Sequence, residues 1–212
     1  MRFSEVQNIR SALSPVAGLS WITILLRSMV KRKKLLSKTR WLEEGGAEAK
    51  FAKRMLIAPA LFLELEKRVG ESRALEAMSE LLVSTGCGEQ WNHLNSMNLE
   101  EMDDMERLRS FNDLMDLVGT PRFNRREYIK QDDNMCHFII TRCVFSDFFN
   151  EVGTPELTRA FCEVDRRFFP EAFPGLRFHR SGTWENTIAY GRDHCEFVFE
   201  RIGQADLHTH KT

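Results

Sequence analysis

The sequence predicts an α+β fold, a helical N-terminal half followed by a small antiparallel sheet with helices packed on one face. Three observations carry that prediction. Up to about Thr85, apolar residues recur at the three- and four-residue spacing of a helix face. After Met135, short runs rich in Ile, Phe and Val replace that spacing. The C-terminal order of strand, helices and then consecutive short strands joined by glycine turns implies antiparallel pairing with helices on one side. By composition and spacing, residues 1–46 form an amphipathic, basic helical extension, residues 47–204 a single α+β domain, and residues 205–212 a disordered tail.

Residues 1–14 are polar and are expected as a loose arm or a short helix. Leu19, Ile22, Leu26, Met29 and Lys33 then fall on one helical stripe of roughly 15 residues. The common arrangement is a helix docked on the core by its apolar stripe, with Lys31-Arg32-Lys33-Lys34 as a solvated end. Contact of residues 19–34 with a membrane surface is the alternative, because cations beside an apolar face attract anionic lipid. No apolar run reaches the roughly 20 residues needed to cross a bilayer. Glu43-Glu44-Gly45-Gly46 looks like a linker.

Ala47 to Thr85 predicts two helices, with Pro59 kinking or restarting the first. Gly70 is a natural stop, Ser72 a natural cap for the second, and Gly86-Cys87-Gly88 its end. Cys87 between two glycines is expected in a flexible loop. Asn98 to Val118 predicts a helix with an acidic first turn, which suits the positive end of the helix dipole. Val118-Gly119-Thr120-Pro121 and Val152-Gly153-Thr154-Pro155 repeat one stop-and-cap string, with Gly as stop, Thr as cap and Pro at the first helical position. Cys136–Val144 predicts a buried strand, Phe145–Glu151 a helix, and Thr154 to about Phe169 a second helix ended by Pro170 and Pro174. Leu176–Arg180, Thr183–Tyr190 and Cys195–Ile202 predict three short strands.

Composition narrows the function classes. The 212 residues carry a net charge of -1, which argues against nucleic acid as the partner. The charge is uneven: residues 1–54 balance to +8 and the remainder to about -9. Five cysteines make an odd set, and nothing suggests a small secreted scaffold, so reduced thiols in a cytoplasm are expected.

The chemistry-bearing residues gather late. Cys162 and Asp165 are three apart and share a helix face. Cys143 ends a predicted strand and Cys195 begins one. One chemistry that fits is a cysteine nucleophile with Asp165 or His194 as base or orienter and Arg180 holding a substrate carboxylate. Another is thiolate metal binding, for which the long spacings give little support and no metal ligands are assigned. The plainest is that the cysteines are small buried hydrophobes.

Arg142-Cys143, Val152-Gly153-Thr154-Pro155-Glu156-Leu157, Phe161-Cys162-Glu163-Val164-Asp165, Arg180 with Thr183, Ile188-Ala189-Tyr190-Gly191, and Cys195-Glu196-Phe197-Val198-Phe199 together resemble the L-2-amino-thiazoline-4-carboxylic acid hydrolase family. The helical stretch around Leu61 to Glu80 is compatible with it. The resemblance implies a hydrolase of a cyclic amidine carbon–nitrogen bond that opens 2-amino-thiazoline-4-carboxylate to N-carbamoyl-cysteine. Cys162, Asp165 and Cys143 are then the catalytic candidates, and Arg180, Thr183 and Cys195 the substrate-binding ones. His137, His179 and His194 match no part of the pattern. A small-molecule substrate is the expected partner, no cofactor is expected, and a homodimer is an option. The spacing of Asp165, Gly191 and Cys195 more weakly resembles ligand-binding domains linked to vinyl reductases, which keeps a non-catalytic small-molecule or metal-binding module as the alternative.

Overall fold

In the computed structural model, residues 3–43, 45–99 and 101–203 are described. Glu44 of the expected linker, Glu100 of the acidic run and the expected tail at 205–212 lie outside the described residues. The helical N-terminal half and the four-stranded antiparallel sheet make the fold α+β. The chain divides into two compact units. One comprises the residues up to Gly86 with Phe145–Val164, the other Cys87–Val144 with the residues from Asp165 onward.

The first unit holds α1 (Phe3–Ala17), α2 (Trp21–Leu36), α3 (Gly46–Met55), α4 (Ile57–Val69), the start of α5 (Glu71–Asn95), nearly all of α7 (Val144–Glu151) and the first half of α8 (Leu157–Ala172). Its core is aromatic. Trp41 lies 5.6 Å from Phe51, Phe51 lies 5.4 Å from Phe148, and Phe145 stacks on Phe161 at 4.0 Å. Glu151 fixes the segment after α2, accepting from Thr39 Oγ1 at 2.7 Å and from the Arg40 backbone N–H at 3.0 Å.

Two helices were expected between Ala47 and Thr85, and there are three. A break at Leu56 separates α3 from α4, and Pro59 sits in the first turn of α4, where its missing N–H costs no hydrogen bond. Gly70 ends α4 at φ 84°, as a glycine stop should, but α5 starts directly at Glu71, so Ser72 lies inside the helix instead of capping it. Gly86-Cys87-Gly88 does not end α5. A Cβ on Gly86 would meet Val164 Cγ2 at 2.8 Å, so Gly86 permits close helix packing, whereas Gly88 faces open space, and Cys87 is buried.

The α2 helix docks by the face opposite to the one expected. Ile24, Leu25 and Ser28 are buried, with the Ser28 hydroxyl satisfied by the Leu25 carbonyl at 2.7 Å. Leu19, Ile22, Leu26 and Met29 point outward, with Leu19 87% and Leu26 61% exposed. The helical run also continues through the turn at Gly18–Ser20. Glu5–Leu36 is thereby 32 residues long and, by length and composition only, apolar enough to cross a membrane, which revises the expectation of no such run.

The second unit holds the rest of α5, α6 (Asp104–Val118), the strands β1 (Arg125–Gln131), β2 (Met135–Arg142), β3 (Leu176–His179) and β4 (Cys195–Arg201), and the second half of α8. Asp103 caps α6 in a capping box. Its carboxylate accepts from the Met105 and Glu106 backbone N–H groups, and the Glu106 carboxylate accepts from the Asp103 N–H. The repeated Gly-Thr-Pro strings do mark boundaries, but by different means. Gly119 caps the short 3-10 turn that carries Pro121, and Thr154 makes no side-chain cap bond three residues ahead of α8. Pro170 falls within the last turn of α8 and does not end it.

The sheet runs β1-β2-β4-β3, with every neighbour antiparallel. Two strand expectations fail. β1 was not anticipated, because this edge strand is exposed almost throughout and so lacks apolar alternation. Thr183–Tyr190 is a turn with a 3-10 segment at Ile188–Tyr190, held down by Asn186, whose side-chain amide donates to the Arg180 and Ser181 carbonyls. Alternation along the paired strands sorts the sheet into two faces. Phe138, Phe178, Phe197 and Phe199 face α8, where Phe169 lies 4.9 Å from both Phe178 and Phe199. His137, His179, Glu196 and Glu200 share the other face.

Candidate functional site

Both faces of the sheet carry ionic clusters. On the helix side, Arg180 follows β3 and Asp165 sits on α8. The guanidinium donates to the Asp165 carboxylate at 2.9 Å and to the Glu196 carbonyl at 3.1 Å. Its carbon lies 3.9 Å from the Phe197 ring centroid and 4.8 Å from that of Trp184. The Arg180 side chain is 1% exposed, so its charge is committed to Asp165 and aromatic faces, and it offers no open fork to a substrate carboxylate.

On the other side, Glu196 is the hub. Its carboxylate is 2.6 Å from His137 Nε2, 3.0 Å from His194 Nε2, and accepts from Ser181 Oγ at 3.3 Å. β2 places His137 diagonally across from Glu196, and His194 precedes it by two residues on the same side. Ser181 has φ 48°, the one positive value outside glycine among the described residues, and Gly182 follows at φ 103°. That left-handed turn swings Ser181 to the Glu196 side immediately after the buried Arg180. Burial would push the Glu196 carboxyl up, but the hydrogen bonds and charge of His137 and His194 outweigh it and hold the carboxyl below its ordinary range. Further along this face, Arg177 and His179 meet Glu200, whose carboxyl is lowered chiefly by the hydrogen bond from Arg177.

This arrangement is suited to proton transfer. With each Nε2–H donating to Glu196, the two rings present Nδ1 as an acceptor. Imidazole is the side chain whose ordinary titration range lies near neutrality. The carboxylate orients the rings and stabilises the imidazolium that forms on protonation, as in carboxylate–histidine catalytic pairs.

The cysteines are dispersed. Cys143 links β2 to α7 and Cys162 lies midway along α8 in the first unit, both half-buried. Cys195 opens β4, is buried, and accepts from the Ile188 backbone N–H at 3.2 Å; burial raises its thiol despite that bond. Burial pushes Cys136 up to about 11 and raises Cys87. Thr183 lies exposed in the turn after β3, where its hydroxyl accepts from the Glu185 N–H at 3.3 Å. Of the residues picked from sequence, then, Asp165 and Arg180 meet directly. No group of three or more histidine, cysteine or carboxylate residues among the described residues is arranged to hold a metal. An open groove of about 640 Å³ in the first unit, lined by Lys38, Arg40, Asp147, Asn150 and Glu151, contains neither histidine nor cysteine.

Sequence reasoning passed over Glu196 and His137. The signal that finds them is alternation: in adjacent antiparallel strands a histidine and a carboxylate on the same face, both unsuited to a core, meet across the ladder.

Fold and site define an α+β protein with a half-buried histidine–carboxylate cluster on the sheet face turned away from α8. The model of the L-2-amino-thiazoline-4-carboxylic acid hydrolase family matches residues 48–199, well over half the chain. The chain belongs to that family. No curated protein matches. Among solved structures, the Fe(II) unliganded H-NOX protein from K. algicida aligns over 96% of this chain and 98% of its own at 9% identity, and its TM-score of 0.39 supports no inference.

Proposed function

We propose that this protein is a hydrolase that opens the ring of a small, carboxylate-bearing cyclic amidine of the 2-amino-thiazoline-4-carboxylate type. The family match over residues 48–199 carries the reading. Support from the structure is the Glu196 cluster, which has the parts that water activation requires.

In the proposed reaction, one imidazole Nδ1 takes a proton from water as its oxygen bonds to the amidine carbon. The ring carbon–nitrogen double bond becomes single and the nitrogen takes up a proton. Atom balance toward N-carbamoyl-cysteine then requires the carbon–sulfur bond to break: the oxygen releases its second proton to solvent, offsetting the one the ring nitrogen took up, and forms the urea carbonyl, while sulfur leaves as the thiol, protonated by the imidazolium. The carbon–nitrogen bond is therefore where water adds, and the carbon–sulfur bond is where the ring opens. Glu196 holds both rings and stabilises the transient positive charge.

Incubation of the purified protein with 2-amino-thiazoline-4-carboxylate, followed by mass spectrometry, tests the reading. N-carbamoyl-cysteine, 18 mass units heavier than the substrate by addition of one water, is the expected product. No turnover of this compound or of other cyclic amidines overturns the reading.

A further inference from the structure

The outward stripe of α2 is the largest feature that this chemistry leaves unused. Ile22, Leu26, Met29 and Val30 are 48%, 61%, 46% and 59% exposed, and Leu19 precedes them at 87%. At 100° per residue these side chains fall within one arc, and Lys33 continues the same arc. Arg27 and Lys34 flank it, both exposed. A docked core helix hides its large apolar residues, and α2 hides only Ile24 and Leu25 from its opposite side. A contiguous exposed patch of this kind marks an interaction surface.

Charge selects the occupant. Residues 6–42 contain eight cations, Arg10, Arg27, Lys31, Arg32, Lys33, Lys34, Lys38 and Arg40, and no acidic residue. Arg32 is turned inward to the Lys53 carbonyl at 2.6 Å, and Arg40 pairs with Glu151. Arg27, Lys33 and Lys34 remain at the rim of the apolar arc. A second copy docking through the same stripe would bring more cations and no carboxylate to meet them. An anionic lipid surface meets both requirements, taking the apolar side chains below its headgroups and the lysines among its phosphates.

We infer that α2 docks the protein in the plane of an anionic membrane surface, with Leu19, Ile22, Leu26, Met29 and Val30 buried in the headgroup region and Arg27, Lys33 and Lys34 on the phosphates. The test uses the full chain and sedimentation with vesicles of phosphatidylcholine alone or mixed with phosphatidylglycerol. Binding is expected with the anionic vesicles, much weaker on phosphatidylcholine, and reduced by salt. Ile22→Asp with Leu26→Asp abolishes it while leaving the helical circular dichroism unchanged, because both side chains already face outward. Reversing Lys33 and Lys34 to Glu weakens it by roughly fivefold or more per cation. Three outcomes overturn the inference: no sedimentation with anionic vesicles, equal and salt-insensitive binding to neutral vesicles, or a soluble dimer that Leu26→Asp turns into a monomer without any vesicle binding. Hydrolase activity of the Ile22→Asp/Leu26→Asp variant in solution separates this inference from the proposed reaction, which it leaves unaffected.

Discussion

Asp165–Arg180 and Glu196–His137–His194 are both ionic clusters of one sheet, separated by the thickness of its pleat, and they differ in access. Arg180 is sealed under Phe197 and Trp184 with its charge met by Asp165. Glu196 is met by two half-buried imidazoles, one of which, His194, has 40% of its side chain exposed. The Arg180 guanidinium is sealed and, through Asp165, holds α8 to the loop after β3, while the Asp165 carboxylate keeps 23% of its side chain exposed. A half-open cluster can exchange protons with a bound molecule and with water. Residue type alone does not make this distinction, since an Asp/Arg pair and a Glu/His pair read equally well as chemistry in a sequence.

The largest effect is expected at the sealed pair. Asp165→Ala leaves the Arg180 guanidinium buried without a counter-charge and should cost about 3–5 kcal/mol of stability in urea unfolding, toward the lower end because Asp165 retains 23% exposure. Lost turnover with unchanged stability would reverse the contrast and make the pair catalytic. Next, His137→Gln and His194→Gln should each reduce turnover. The ring that serves as base should show a drop of about a hundredfold, and the other a smaller one. Equal turnover in both variants and the wild type would strip the open cluster of its role.

The third effect is on acid stability. Glu196 and Glu200 have carboxyls held below the ordinary range in the folded protein. Their contribution is therefore fully present above the unfolded carboxylate value of about 4.3 and is lost as pH falls through the lower folded value. Urea midpoints should fall below about pH 4, and less steeply in Glu196→Gln than in the wild type; parallel curves would remove Glu196 from the linkage. The smallest effect is expected for Cys162→Ser, with turnover within about twofold of wild type, because water attacks directly in the proposed reaction. Abolished turnover with an intact fold would restore a thiol nucleophile.

Much of the fold was legible because its signals are local. The β2 and β4 strands, α7, α8 and the stop at Gly70 each carry their own apolar pattern or glycine. β1 was illegible because an exposed edge strand has no pattern to read, and Thr183–Tyr190 misled because apolar residues in a tethered turn resemble a short strand. The stripe on α2 was seen, but not its direction: periodicity identifies an apolar face without saying what covers it. The ranking of site residues followed the cysteines, whose burial periodicity cannot reveal. Cys136 and Cys195 are core residues with raised thiols. Glu196 was visible only within a motif, since its partners depend on the β2–β4 register.

The most direct measurement pairs turnover of 2-amino-thiazoline-4-carboxylate with urea stability at pH 7 for the wild type and Glu196→Gln. The proposed reaction predicts N-carbamoyl-cysteine from the wild type, a turnover loss of about a hundredfold in Glu196→Gln, and a stability change within about 1 kcal/mol. Undiminished product from a stable Glu196→Gln protein would contradict it.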